Sequence, residues 1–393
     1  MRPTWARNWA GCSLVLSVVT LTWLLPPRPA LGQNEVLQPT LRPDSIRVTE
    51  DGVIGTLEDG SDALLTLSPK VQLAAKQLLQ GAWPRAGAAI LLDVRSGRLL
   101  ALEQFVRPGI PPRAVLTSNA PSASVFKLVT TTALLEHSDI LPTTRVCFEG
   151  GEHSVERQHL QPPDSPTARC GRFGAALGFS RNAVFAQLAT SHLRYDDLLS
   201  TAERFGLNGE VPFAFPVPVG NIQLPFNDLE FARAAAGFRD STLTPLGVTH
   251  ICSAIALGGV PVRMRLVASR ENPNALAQRQ WLPRIMKANT AWRLTRMMEV
   301  TVHSGTSLEA FTSPDGSSYL GAIRVAGKTG TLDVPGAPAT VSWFTGFAPS
   351  RQPQVVVTVL LENSRVWRRR ANEVARDLLR VYFEGQRGVT SPL

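Results

Sequence analysis

Apolar residues follow two different periods along this chain, and the shorter one predicts β-strands near both ends. Residues 88–94 and 98–102 are apolar runs separated by Arg95-Ser96-Gly97, and glycine in such a short connection is typical of a β-hairpin. Three further runs of strand length lie towards the carboxyl terminus, at residues 323–326, 341–347 and 354–361. We therefore expect one sheet assembled from distant parts of the chain.

The longer period, with apolar residues three and four positions apart, predicts helices. Residues 71–79, which follow Pro69, and residues 373–383 each present one apolar face. The middle, from Ser124 to about Thr306, has a mainly helical pattern, apart from a proline-rich loop at 212–225. These elements predict an α/β (α+β) fold, in which an antiparallel sheet is flanked by helices and a mainly helical lobe lies beside it across a cleft.

The first 32 residues have the composition of a targeting segment. Arg2 and Arg7 precede an apolar run at 11–25, and small residues at 30–32 fit a cleavage site. The run is shorter than the roughly 20 residues of a membrane-spanning helix, which favours a cleaved signal peptide over an uncleaved anchor. We expect an exported protein, in the periplasm or on the outer face of the cytoplasmic membrane, with a poorly patterned extension at 33–62.

Composition indicates a globular protein and gives no support to nucleic-acid binding. Hydrophobic residues make up 44% of the 393 residues and charged residues 18%, which is enough apolar material for a large core. The formal net charge is +9, but the basic residues are spread along the chain without zinc-finger spacing or an aromatic RNA-binding pattern. Lysine occurs at only five positions, and two of these, Lys127 and Lys328, lie in the motifs described next.

Ser124-Val125-Phe126-Lys127 has the spacing of a nucleophile and its base. An apolar helical pattern continues from it, so we expect Ser124 in the first turn of a helix and Lys127 one turn later on the same face. Burial would lower the pKa of the lysine and allow it to accept the hydroxyl proton. A serine and a lysine at this spacing are also common as a helix cap and a solvated charge.

Ser180-Arg181-Asn182 is the second motif, and a helical pattern follows it directly. We expect Ser180 to relay a proton between Lys127 and the leaving group, and Asn182 to donate its side-chain amide to the substrate backbone. By itself this motif is equally typical of a helix cap.

Lys328-Thr329-Gly330-Thr331 is the third motif, and it follows a strand-like run. Gly330 would let a substrate lie alongside as an added strand, while Lys328 and Thr329 bind its terminal carboxylate. The backbone amides of Ser124 and Thr331 would form the oxyanion hole. Taken alone the motif resembles a charged hairpin turn, but the three motifs in this order indicate one acyl-transfer site.

Three cysteines follow the targeting segment, so at least one is unpaired after export. Cys147 and Cys170 bracket a polar stretch and are expected to form a disulfide, whereas Cys252 lies in an apolar helical pattern and is expected to be a buried thiol. Two thiolates together with His153 and His159 could instead bind zinc, and free thiols are a third alternative. The oxidising compartment favours the disulfide, and we expect no metal and no other cofactor.

These motifs and the segments around them resemble the transpeptidase domain of penicillin-binding proteins, a family that shares its fold with serine β-lactamases. The resemblance extends to the hairpin beginning at residues 88–93, to Leu243-Thr244-Pro245-Leu246 before a helix, and to residues 342–349. It covers residues 63–386, which leaves 387–393 as a carboxyl-terminal tail.

The resemblance implies a peptidoglycan D,D-transpeptidase. Ser124 would attack a D-Ala-D-Ala stem peptide, release D-alanine and transfer the acyl group to an amine on a neighbouring stem. β-Lactam antibiotics would acylate the same serine and remain as covalent inhibitors. The sequence does not identify partner proteins in cell-wall synthesis.

Other members of the superfamily supply the alternatives. Asn182 and Thr331 depart from the class D β-lactamases, which usually have an apolar residue and a bulky aromatic residue at these places. Class A enzymes need a glutamate-containing loop, and residues 203–208 have the wrong spacing for it. A D,D-carboxypeptidase, in which water replaces the amine, and a non-catalytic penicillin sensor or scaffold also remain compatible with the motifs.

Overall fold

Strands and helices are assigned here from a computed structural model that describes residues 41, 45–213, 217–268, 279–334, 336–364 and 367–389. All of these residues belong to one compact unit, Gln38–Leu393. The predicted targeting segment at 1–32 lies outside the described residues.

The strands are β1 (Arg47–Thr49), β2 (Gly52–Thr56), β3 (Asp62–Leu64), β4 (Ala86–Asp93), β5 (Leu99–Val106), β6 (Ala120–Pro121), β7 (Arg145–Phe148), β8 (Arg169–Arg172), β9 (Glu210–Val211), β10 (Val217–Pro218), β11 (Gly220–Ile222), β12 (Ser241–Leu243), β13 (Ala326–Asp333), β14 (Thr340–Ala348) and β15 (Val355–Asn363). The helices are α1 (Pro69–Ala82), α2 (Lys127–His137), α3 (Phe173–Gly178), α4 (Asn182–His192), α5 (Tyr195–Arg204), α6 (Asp228–Ala235), α7 (Pro245–Ala256), α8 (Ala288–His303), α9 (Leu308–Phe311) and α10 (Ala371–Val389).

Five strands form the central antiparallel sheet, in the order β13-β14-β15-β4-β5. β4 and β5 are the predicted hairpin, and β15 pairs with β4, with Val357 opposite Leu91. The sheet therefore joins a hairpin near the amino terminus to three strands from the carboxyl-terminal part, as the apolar pattern predicts. β13 has a neighbour on one side only, so its other edge is free to face the helical part of the chain.

The sheet is covered on both faces, which explains why its strands are continuous apolar runs instead of alternating patterns. In β4, Ala89 and Leu91 belong to a cluster that contains buried residues of α1 and α10. Ile90 and Leu92 point to the opposite face and belong to a larger cluster that includes α2, α4 and α7. The amino-terminal and carboxyl-terminal helices thus share one face, and the helical lobe lies on the other.

Several predicted bounds differ from the observed ones. The strand expected at residues 323–326 starts only at Ala326 and continues to Asp333, so the third motif lies within β13. The loop expected at 212–225 contains the short strands β10 and β11. The predicted tail at 387–393 begins inside α10, which extends to Val389.

The predicted boundary between an extension and the main domain, at residues 62 and 63, falls inside β3. β1, β2 and β3 form a three-stranded sheet, and Val53 and Leu57 are buried in the same cluster as the helical lobe. Residues 45–64 are therefore packed onto the main fold. Among the described residues, no helix is long and apolar enough to cross a bilayer.

Candidate active site

The predicted nucleophile, Ser124, lies in a tight turn directly before a helix. The turn is a 3-10 helix at Ala123–Val125 and α2 begins at Lys127, so Ser124 precedes the α-helix instead of lying in its first turn. Ala123 has a φ of 47°, a left-handed conformation that is uncommon for a residue with a side chain. A Cβ at Gly237 would be 2.0 Å from the carbonyl oxygen of Ala123. This close approach of two backbone segments holds the turn that presents the serine.

Lys127 is fully buried and has the contacts of a general base. Its Nζ lies 2.7 Å from Ser124 Oγ, 2.8 Å from Asn182 Oδ1 and 2.6 Å from the carbonyl oxygen of Ala236. Burial lowers the pKa of Lys127 well below its usual value, and the positive charge of Lys328 lowers it further. A neutral amine has two N–H donors and one lone pair. Because two of the three contacts are carbonyl acceptors, the lone pair is left for the Ser124 hydroxyl.

Asn182 connects Lys127 to a loop of the helical lobe. Its Oδ1 accepts from Lys127, while its Nδ2 donates to the carbonyl oxygens of Gly151 at 2.8 Å and Glu152 at 3.0 Å. An amide nitrogen has two hydrogens, so both already have partners within the chain. The expected role of Asn182 as a donor to the substrate backbone would require one of these hydrogens to change partner, and it stays a prediction. In this structure Asn182 orients Lys127.

Ser180 and Lys328 form the second half of the site. Lys328 Nζ donates to Ser180 Oγ at 3.1 Å and to the carbonyl oxygen of Thr329 at 2.7 Å. Lys328 is fully buried, which lowers its pKa to about 7. The relay expected from the sequence runs from Lys127 through Ser180, whereas the hydrogen bond described for Ser180 Oγ comes from Lys328. Ser180 also has a positive φ of 57°, a second strained residue at the site.

Gly330 brings the edge strand β13 against the nucleophile turn. A Cβ at this position would lie 3.2 Å from both Ala123 Cβ and Val125 Cγ2, and 3.3 Å from Trp343 Cβ. An added side chain would therefore be in tight contact with the nucleophile turn, and glycine gives the strand room at this place. Thr331, the next residue, is exposed on the free edge of the strand and lines the same cleft as Ser124. The pairing of their amides as an oxyanion hole remains a prediction.

The three motifs meet around one open cleft with a volume of about 450 Å³, within the usual range for a ligand site. Both serines of the motifs, Asn182 and residues 329–331 line it, and the buried amines of Lys127 and Lys328 lie behind this wall. Further residues of the lining are Gly150, Glu152, Phe179, Arg181, Ala236, Gly237, Phe238, Thr306, Leu332, Ser342, Trp343, Trp367, Arg370 and Asn372.

Sequence reasoning missed several residues that build this cleft. The segment Ala236-Gly237 follows α6 and supplies both the carbonyl that binds Lys127 and the glycine that contacts the nucleophile turn. Thr306 forms a 2.6 Å hydroxyl contact with Thr329. Trp343 donates its indole N–H to the carbonyl of Pro121 at 2.9 Å. None of these residues has a motif of its own, and only the positive φ that glycine permits at position 237 leaves a trace in the sequence.

Cys147 and Cys170 form a disulfide across the antiparallel pair β7 and β8. Both sulfurs are consumed by this bond, so the alternative in which they bind zinc with His153 and His159 does not hold. Within the described ranges, no group of three or more side chains is placed to hold a metal ion. Cys252 is a buried thiol, and burial raises its pKa to about 12.

The fold and the site have the features of a serine acyltransferase: a serine in contact with a buried lysine, and an edge strand beside them. The family model for the penicillin-binding protein transpeptidase domain matches residues 87–380. The chain therefore belongs to the penicillin-binding protein transpeptidase family, and the predicted family is confirmed.

The chain is also similar in sequence to curated bacterial proteins. The chain is 27% identical over 350 residues to peptidoglycan D,D-transpeptidase PbpA of Mycobacterium tuberculosis, which covers 77% of this chain and 68% of the relative. It is 24% identical over 353 residues to stage V sporulation protein D of Bacillus subtilis, with coverage of 78% and 50%.

Solved structures show the same fold. The D,D-transpeptidase domain of a peptidoglycan glycosyltransferase from Eggerthella lenta has a TM-score of 0.65 at 24% identity, over 88% of this chain and 99% of that one. PBPA from Mycobacterium tuberculosis has a TM-score of 0.64 at 22% identity, over 82% and 81%. The predicted fold class is confirmed.

Proposed function

We propose that this chain is a penicillin-binding D,D-transpeptidase that joins peptidoglycan stem peptides through an acyl-enzyme on Ser124. The contacts of Lys127 carry the proposal, since two carbonyl oxygens take its N–H groups and leave its lone pair to the serine hydroxyl. Relatives that are named peptidoglycan D,D-transpeptidases support the same substrate and reaction.

Acylation begins when Ser124 Oγ attacks the carbonyl carbon between the two D-alanines and Lys127 takes the hydroxyl proton. The carbonyl oxygen becomes negative and accepts from the backbone amides of Ser124 and Thr331. The peptide C–N bond then breaks, and the nitrogen of the departing D-alanine needs one proton.

Ser180 is the group that supplies this proton. Its hydroxyl gives a proton to the departing nitrogen and regains one from Lys328, to which it is hydrogen-bonded. Before the step Lys127 is neutral and Lys328 is charged; after it the two have exchanged states. The pair therefore holds one proton throughout, which agrees with the lowered pKa values of both amines.

Transfer of the acyl group reverses these movements. An amine of a second stem peptide attacks the ester carbonyl and loses a proton through Ser180 to Lys328, while Lys127 returns its proton to Ser124 Oγ. Both lysines then have their starting states, so one cycle closes with an amide bond formed for each amide bond broken. The symmetry suits an amine acceptor because the same groups serve the departing and the incoming nitrogen.

A fluorescent penicillin tests the nucleophile. Purified protein should be labelled covalently in a one-to-one ratio, and Ser124→Ala should abolish the label. Labelling that survives this substitution would refute the assignment. Nitrocefin separates a transpeptidase, which is acylated and stays blocked, from a β-lactamase, which continues to hydrolyse it.

Product analysis on purified muropeptides decides the fate of the acyl group. We expect cross-linked dimers with one D-alanine released per dimer. Trimmed monomers alone would instead show a D,D-carboxypeptidase, and acylation by penicillin with no product from muropeptides would indicate a sensor or scaffold.

The substrate also bears on location. Stem peptides are cross-linked outside the cytoplasmic membrane, so we propose that the chain is exported by its first 32 residues. Fusion of these residues to a reporter that is active only after export should give an active reporter, and its inactivity would contradict export.

A further inference from the structure

Lys328 is poorly placed to be the charged partner of a substrate carboxylate. Its side chain is 0% exposed, and its Nζ is held by Ser180 Oγ and by the carbonyl of Thr329. Its pKa of about 7 means that much of it is neutral near neutrality. In the proposed cycle it also gives up its proton while the departing D-alanine still carries a negative charge. A lasting positive charge is therefore needed elsewhere in the cleft.

Arg370 supplies such a charge. It lines the cleft together with Thr329, Thr331 and Ser342, and it directly precedes α10. Its backbone is fixed there, because the amide of the next residue, Ala371, donates to Ser342 Oγ at 3.2 Å. Ser342 is the partner of Thr331 in the pairing of β13 with β14. The arginine is thus attached beside the third motif, which is expected to bind the terminal carboxylate.

The guanidinium of Arg370 is available for a ligand. Its side chain is 61% exposed, and the acidic group that faces it, Glu309, is 93% exposed with an N–O distance of 3.8 Å. An ion pair of this length and exposure is weak and screened by salt. Glu373 also lies close, but its carboxylate accepts from the backbone amide of Arg370 at 2.6 Å.

The neighbouring arginines have other contacts and do not line the cleft around Ser124. Arg369 is paired with Asp377, and Arg376 with the same carboxylate. Arg368 lies over the ring of Trp83 at 5.5 Å. Arg370 is distinguished from all three by its place in the cleft lining, and from Arg369 and Arg376 also by its exposure.

We propose that Arg370 binds the terminal carboxylate of the donor stem peptide, and the carboxylate of a β-lactam, beside the hydroxyl groups of Thr329 and Thr331. The inference rests on the proposed function, and it names the residue that selects a substrate with a free carboxyl end. Arginine suits this role because its charge persists at every pH at which the enzyme works, and its planar fork matches a carboxylate.

Acylation by benzylpenicillin and by its methyl ester, which lacks the charge, provides the test. Arg370→Gln should lower the second-order acylation rate for the acid about tenfold, as expected for loss of a charge-assisted hydrogen bond, and leave the rate for the ester unchanged. Arg370→Lys should recover part of the loss. Arg368→Gln is the matched control and should change neither rate.

The wild-type ratio of the acid rate to the ester rate should stay constant between about pH 6 and 9, because arginine does not titrate there. A ratio that falls through pH 7 would assign the carboxylate to Lys328 and overturn the proposal. Equal loss of both rates in Arg370→Gln, or no loss, would also overturn it. If neither compound labels wild-type Ser124, the proposed function itself fails, which is a separate result.

Discussion

At the residue level, the base of this site depends on a second amine. Lys127 has a lowered pKa first because it is buried and then because Lys328 is positively charged nearby. The charge of Lys328 therefore opposes protonation of Lys127, and burial opposes protonation of both amines. Both lysines are required as lysines, since an arginine could not give up its charge.

Lys328→Met should move the pH dependence of acylation. A base acts only when it is deprotonated, so the acylation rate rises with pH through the pKa of Lys127. Removal of the Lys328 charge raises that pKa, and the rising limb should shift to higher pH. The rate is measured with penicillin methyl ester, so that carboxylate binding does not contribute. If the rise of the acylation rate stays at the same pH in the variant, the two amines are not coupled. Lys70→Met, at an exposed lysine, is the control.

At the level of elements, the nucleophile turn is positioned by two close contacts at glycines that carry no catalytic group. The end of α6 approaches it at Gly237, and β13 approaches it at Gly330. The first contact is the closer one, because an added Cβ would meet the carbonyl oxygen of Ala123 at 2.0 Å. Ser124 is therefore held by segments far away in sequence.

Gly237→Ala should displace the nucleophile turn and lower the acylation rate by at least about tenfold, a modest effect for a displaced catalytic group. Gly316 is a matched control, because its φ of +83° is close to the +82° of Gly237 and nothing lies within 4 Å of an added Cβ. Both alanines suffer the same left-handed strain, of about 1 kcal/mol. Only the first should affect acylation by a fluorescent penicillin. Equal effects of the two variants would assign the loss to backbone strain.

Elements with a strong period could be predicted from the sequence, and contacts between distant segments could not. The hairpin β4-β5 and helix α10 follow from apolar spacing, and the motif residues could be assigned because their chemistry needs a fixed spacing. The start of β13 was misplaced because Ile323 and Val325 are apolar for packing reasons outside the strand. The partners of the Asn182 amide could not be predicted, since the carbonyl oxygens of Gly151 and Glu152 that take its hydrogens lie on a loop with no pattern.

At the level of the whole molecule, the site lies where the free edge of the sheet meets the helical lobe, so its buried charges affect the stability of the entire fold. The strands come from both ends of the chain, and the apolar residues on the lobe side belong to one cluster. Unfolding therefore exposes Lys127 and Lys328 to water together with the core. Any proton that they lack in the folded state is bound when the chain unfolds.

The free energy of unfolding should consequently rise with pH above 7, and Lys328→Met should reduce this rise. Folded Lys328 has a pKa of about 7 against an ordinary value of 10.5, so between these values the unfolded chain binds one more proton than the folded chain. Linkage then increases stability by about 1.4 kcal/mol per pH unit for each such lysine. Lys127 also has a lowered pKa and contributes to the rise of stability with pH, and the Lys328→Met variant should retain this contribution. Urea unfolding at pH 7, 8 and 9 measures the free energy of unfolding of wild type and variant. The difference between them should grow with pH in favour of the wild type. If both free energies change equally with pH, Lys328 is not buried as an amine with a lowered pKa.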